Sequence, residues 1–165
     1  MLYIILKYTI GPLLWLLWRP MIIGKENLAV KGKAVFASNH TSMLDPVLLA
    51  IISFRNIHFM AKKELFSNKL IALLLRSLLS FPVDRKNADL QSLKRAMKVL
   101  DKGKIFGIFP EGKRSITGRM DSFEKGTAFL AVRSRAPIIP IYIHPDSFRS
   151  GRPKMAVGTP IDIND

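Results

Sequence analysis

The sequence predicts an α/β fold: one layered domain with a mixed, largely parallel sheet flanked by helices, preceded by an apolar N-terminal helical segment. Three observations lead there. Short apolar runs of strand length alternate with segments of helical period along most of the chain. Several of those runs end directly in polar or glycine-containing turns, as strands that feed a crossover helix do. No internal repeat and no low-complexity linker interrupts the alternation, and 165 residues suffice for one well-buried core.

Residues 1–18 are almost wholly apolar, with Lys7 their one charge. As a helix they would reach about 27 Å, short of a bilayer's hydrocarbon thickness of about 30 Å. Gly11-Pro12 is expected to kink or break that helix. Trp15, Trp18 and Arg19 are of the types found at headgroup level. The favoured reading is a short helix, or two, dipping into one leaflet, so that 1–22 form a membrane-associated segment and 23–165 the folded domain. The competing reading is an ordinary buried helix. No basic stretch precedes the apolar run and no small-residue cleavage site follows it, which argues against a signal peptide.

Ala34–Ser38 reads as a buried strand that runs straight into Asn39-His40. Asp45-Pro46 has the form of a helix start, Asp at the N-cap and Pro at the first helical position, followed by Val47–Ile52. Ile57–Met60 is a second strand, Leu65–Leu79 an apolar helix and Phe81–Val83 a brief extended piece. Leu90, Leu93, Met97 and Leu100 recur at helical spacing, and Gly103 closes that helix. Ile105–Phe109 is a buried strand, Phe123–Arg133 a helix, and Ile138–Ile143 and Met155–Val157 are strands.

Composition narrows the function. Lys and Arg number 26 against 12 Asp and Glu, a net charge of +14. That excess calls for a polyanionic partner: an anionic membrane surface, nucleic acid or phosphate-bearing substrates. A nucleic-acid binder gains nothing from the apolar N-terminus, so the membrane is preferred. There is no Cys, which excludes disulfides and thiolate chemistry. The three His, at 40, 58 and 144, lack metal-ligand spacing, so no metal is expected.

Three stretches carry candidate chemistry, each following an apolar run. In Asn39-His40-Thr41-Ser42-Met43-Leu44-Asp45, the loop can fold back so that Asp45 orients His40, leaving the other ring nitrogen as a general base. A helix cap beside an unrelated loop His is the competing reading. In Pro110-Glu111-Gly112-Lys113-Arg114-Ser115, Gly112 permits a tight turn, Arg114 offers a fork suited to phosphate, and Lys113 adds a point charge. Glu111 would organise these cations or hydrogen-bond a substrate hydroxyl; a solvated charged turn is the alternative. In Val83-Asp84-Arg85, Arg85 could converge with Arg114 on one phosphate, or simply pair with Asp84 at the surface.

Taken together, the stretches resemble the glycerolipid acyltransferase family, specifically the bacterial 1-acyl-sn-glycerol-3-phosphate acyltransferases, from about Gly24 to Ile161. His40 through Asp45 is similar to the family's histidine–x4–aspartate block. Phe81-Pro82-Val83-Asp84-Arg85 is similar to the second block, Phe109-Pro110-Glu111-Gly112 with Arg114-Ser115 to the third, and Ala136-Pro137-Ile138-Ile139-Pro140 to the fourth, all in the family's order. The resemblance implies that His40, oriented by Asp45, deprotonates the sn-2 hydroxyl of lysophosphatidic acid, which attacks an acyl thioester without a covalent acyl-enzyme. It implies that Arg85, Glu111, Gly112 and Arg114 hold the glycerol phosphate, and that Pro140 is structural. No cofactor is implied; acyl-coenzyme A or acyl-acyl carrier protein is the co-substrate. The implied partners are an anionic membrane surface, the lysophospholipid and acyl carrier protein, not nucleic acid. The implied place of work is the cytoplasmic face of the bacterial cell membrane.

Three departures stand out. Lys113 replaces the family's usual Thr and is expected to modulate headgroup preference. Leu79 falls where many members carry Gly, which predicts a different turn. The chain stops at Asp165 where relatives usually continue, which predicts a shortened acyl or donor surface.

Overall fold

The strand–helix alternation read from the sequence is realised in a computed structural model that describes residues 2–84, 89–115, 117–118, 120 and 122–163. In chain order the elements are α1 (Leu2–Trp18), β1 (Met21–Ile23), β2 (Ala34–Ser38), α2 (Asp45–Ile52), β3 (Ile57–Lys62), α3 (Lys69–Ser77), β4 (Ser80–Val83), α4 (Leu90–Asp101), β5 (Ile105–Ile108), α5 (Lys125–Ser134), β6 (Ile138–Ile143) and β7 (Lys154–Val157). The strands form one sheet in the order β1-β7-β6-β2-β5-β3-β4. Every neighbouring pair is parallel except β6 with β7.

The central strands β2 and β5 are apolar except for Ser38 at the end of β2, because helices cover both faces of the sheet. Side chains alternate between the two layers. Phe36 and Ile105 join Leu48, Leu49 and Ile52 of α2 in one buried cluster. Val35 and Phe106 join Ala96 and Leu100 of α4 and Leu130 of α5 in the other. Leu100 and Leu130 are fully buried, each contributing about 2 kcal/mol.

Three sequence expectations are corrected. First, α1 runs unbroken through Gly11-Pro12. Pro12 is exposed, whereas the inner side of α1 is pinned: Gly11 is buried, Ile57 N–H donates to Tyr3 Oη at 3.3 Å, and Lys7 Nζ donates to Arg55 O at 3.0 Å. No helix among the described residues is long and apolar enough to cross a membrane. Second, Trp15 and Trp18, read as residues of the headgroup level, pack half-buried against the core, with Trp18 edge-on to Phe148 at 5.4 Å.

Third, the helix expected over Leu65–Leu79 is divided. A short 3-10 turn spans Lys63–Phe66, and Asn68 then caps α3 by accepting from Leu70 N–H and Ile71 N–H. Leu79, at the turn expected to differ, has φ +61°, in the left-handed region that favours glycine. That backbone costs a non-glycine residue about 1–2 kcal/mol.

Candidate active site

Strands β2 and β5 are parallel neighbours, with Ala37 opposite Ile108, so the loops leaving their C-terminal ends adjoin. This is the edge where crevices of open α/β sheets form. Asn39 first locks the end of β2 to β6: its Nδ2 donates to Ile143 O at 2.8 Å, and Ile143 N–H donates to its Oδ1 at 2.7 Å. His40 follows, and its backbone joins the two loops. His40 N–H donates to Glu111 Oε1 at 3.0 Å, and Ser115 N–H donates to His40 O at 2.8 Å.

The loop then turns back on the His40 side chain. Asp45 is fully buried, and its Oδ2 accepts from His40 Nδ1 at 2.9 Å, Thr41 N–H at 2.7 Å and Ser42 N–H at 2.8 Å. Asp45 is therefore not the expected N-cap. Leu44 occupies that position, Asp45 is the first helical residue, and Pro46 lies in the first turn as read from the sequence. The carboxylate serves the preceding loop because three donors converge there. An ionised carboxylate only accepts, so a neutral imidazole in this place carries its proton on Nδ1 and its lone pair on Nε2.

The imidazole is also held from one side. It stacks on Phe109 with ring centroids 4.1 Å apart and planes 20° apart. Phe109 in turn lies parallel to Phe59 of β3, at 6.2 Å. Gly107, in β5, makes room for Phe59: a Cβ there would fall 2.3 Å from Phe59 Cε1. The rings fix the plane of the imidazole while Asp45 fixes its rotation.

Glu111, expected among the substrate-binding groups, is buried and braces His40 from beneath. Gly112 has φ +65° and donates its N–H to Phe109 O at 3.0 Å, forming the tight turn its position suggested. Lys113 and Arg114 are exposed on the rim of this turn. Arg85 lies outside the described residues. Asp84 just before it pairs with Lys63 Nζ at 2.6 Å, at the end of β4, and β3 separates β4 from β5. Pro140 sits in β6 opposite Ala37 of β2. The sequence reading assigned no role to the Asn39 amide or to the Phe59–Phe109–His40 stack. A glycine inside an apolar strand, Gly107, was the available signal, since it marks a close approach.

Residues 19–144 match the acyltransferase family profile. A 1-acyl-sn-glycerol-3-phosphate acyltransferase of Bacillus subtilis is 38% identical over 146 residues, covering 85% of this chain and 72% of the relative. The enzyme of that name from Limnanthes alba is 34% identical, covering 81% of this chain and 48% of its own length, and that from Streptococcus pneumoniae is 31% identical, covering 79% and 51%. The fold matches the crystal structure of the 1-acyl-sn-glycerophosphate acyltransferase of Thermotoga maritima with a TM-score of 0.72 at 24% identity, over 93% of this chain and 66% of that one. The chain thus spans about half the length of some relatives and nearly three quarters of another. On the profile match and these identities, the chain belongs to the acyltransferase family.

Proposed function

We propose that the chain transfers a fatty acyl group from a thioester of coenzyme A or acyl carrier protein to the sn-2 hydroxyl of 1-acyl-sn-glycerol-3-phosphate, giving phosphatidic acid. The named relatives support the acceptor and the product. The observation that supports the mechanism is the buried His40 Nδ1–Asp45 Oδ2 contact of 2.9 Å, which suits a neutral imidazole with its lone pair on Nε2. His40 Nε2 takes the hydroxyl proton as the acceptor oxygen attacks the thioester carbonyl. The tetrahedral adduct then collapses, the C–S bond breaks, and the proton on Nε2 passes to the departing thiolate. Asp45 stabilises the imidazolium between those steps. No acyl-enzyme is needed.

Arg114, Lys113 and Gly112 on the rim, with Arg85, are assigned to the acceptor's phosphate, and Glu111 to holding the base in place. The acceptor lives in a bilayer, so the site works at an anionic membrane surface, on the cytoplasmic side where thioester donors are made. Each basic side chain near such a surface adds about 1 kcal/mol of attraction.

His40→Ala tests the reading. Turnover of lysophosphatidic acid should fall about 100- to 10,000-fold while acceptor binding persists. Near-wild-type turnover in that variant would sink the mechanism. Wild-type protein that acylates other lysolipids but not lysophosphatidic acid would reassign the acceptor.

A further inference from the structure

Helix α3 is built inside out. An ordinary surface helix turns its apolar stripe toward the core. In α3 only Ala72 is buried, whereas Leu70 is 78% and Leu73 65% exposed, and Ile71 and Leu74 are exposed beside them. On a helical wheel these four share one outward arc. A contiguous apolar surface of this kind marks an interaction site.

Its surroundings select the occupant. The helix carries no acidic residue, and Lys69 and Arg76, both exposed, border the apolar arc. Lys62 and Lys63 precede it, paired with Glu64 and Asp84. The crossovers β2-α2-β3 and β3-α3-β4 advance in the same direction along the sheet, so right-handed connections put α2 and α3 on one face. Helix α1 packs on α2, and its exposed Ile4, Ile5, Leu13, Leu16 and Leu17 belong to that same face. The crossovers through α4 and α5 return in the opposite direction, to the other face, where Leu90, Phe129 and Val132 are exposed among a denser set of exposed cations, Lys94, Arg95, Lys98 and Arg133. Apolar side chains edged by cations fit an anionic bilayer.

We propose that α3 is a second bilayer-contacting helix. It enters the headgroup–acyl boundary through Leu70, Ile71, Leu73 and Leu74, and with α1 it sets the face the protein presents to lipid. The proposal rests on the reading that the acceptor is a bilayer lipid, but its test is independent of catalysis.

Because the sequence has no Cys, Leu70→Cys introduces a unique thiol for an environment-sensitive fluorophore. Lys94→Cys provides the same label on the opposite face. On vesicles of phosphatidylcholine and phosphatidylglycerol, the label at 70 should shift to the blue and resist an aqueous quencher, and that at 94 should do neither. Leu70→Glu with Leu73→Glu should weaken vesicle binding about tenfold or more without lowering the thermal midpoint, since neither side chain is in the core. A label at 70 that stays quenchable on vesicle-bound protein overturns the proposal, as does a chain that does not bind the vesicles. So does a blue shift in vesicle-free buffer that grows with protein concentration, which would assign the face to a second copy. Insertion at 70 without acylation of lysophosphatidic acid would refute the acceptor alone.

Discussion

Gly107→Ala is the most demanding test of how the base is held, because it adds one methyl group inside β5 and touches no reacting atom. The new Cβ would lie 2.3 Å from Phe59 Cε1 and 2.8 Å from both Phe59 Cδ1 and Ile57 Cγ2. Carbon atoms in contact normally sit about 3.5–4.0 Å apart, so the Phe59 ring must retreat by more than about 1 Å. Overpacking on that scale costs about 1–3 kcal/mol. At about 2–4 °C per kcal/mol for a chain of this size, the loss reads directly as a fall in Tm. The ring that must move lies parallel to Phe109, and Phe109 is the surface on which His40 rests. A displacement of about 1 Å passed to the imidazole would lower turnover about 100-fold. Thermal unfolding and kcat for acyl transfer are the measurements. Phe59→Leu in the Gly107→Ala background frees the space and should restore Tm, with a coupling of about 1 kcal/mol or more in the double-mutant cycle. Gly107→Ala with wild-type Tm and kcat would refute the claim that the stack positions His40.

Two further predictions follow from the same structure. His58, half-buried on β3, has its pKa pushed below the ordinary histidine value by burial and by the charges of Lys104 and Lys102. The unfolded chain therefore binds a proton that the folded one refuses. Stability should fall as pH drops through about 6.5, and His58→Gln should flatten that slope in urea titrations between about pH 5 and 8. At Asp45, all three donors meet the one oxygen Oδ2, while Oδ1 has no protein donor among the described residues. Asp45→Asn can thus keep its carbonyl oxygen in that place, preserving the His40 tautomer while removing the charge. Its kcat should fall less than that of Asp45→Ala, and equal losses in the two variants would show that orientation contributes nothing.

The sequence disclosed the architecture where local rules and burial agree. The apolar runs of β2 and β5 are readable because both sheet faces are covered, and the α4 pattern is readable because only one of its faces is. It was less informative where tertiary packing overrides a local preference. Pro12 should have broken α1, yet α1 is unbroken, with Tyr3 and Lys7 on its inner side tied to Ile57 and Arg55. Leu79 should have avoided positive φ, yet its backbone is tied at both ends: Leu79 N–H donates to Arg76 O and Leu79 O accepts from Phe59 N–H. The strand β1 is three residues long and exists through pairing with β7, a partner more than a hundred positions away. No local pattern announces such a strand.

At the site the same division has a chemical meaning. Spacing alone brought His40 and Asp45 into reach of each other, since a five-residue separation across one turn suffices. What makes the pair usable is non-local. A histidine in a free loop would lose its orientation to rotation about two side-chain bonds, and a partly oriented base wastes most of the advantage of proximity. Here the backbone of His40 is held on its N–H side by Glu111 and on its carbonyl side by Ser115, both from the loop after β5. Asn39 holds the preceding residue to β6, and Phe109 closes one face of the ring. Every one of these restraints comes from a strand adjacent to β2 in space, or from the loop that leaves such a strand, and all are distant from β2 in sequence. The parallel order β6-β2-β5 is therefore the physical cause of a rigid base, and residues 109–115 hold it from one loop while presenting Lys113 and Arg114 at its rim.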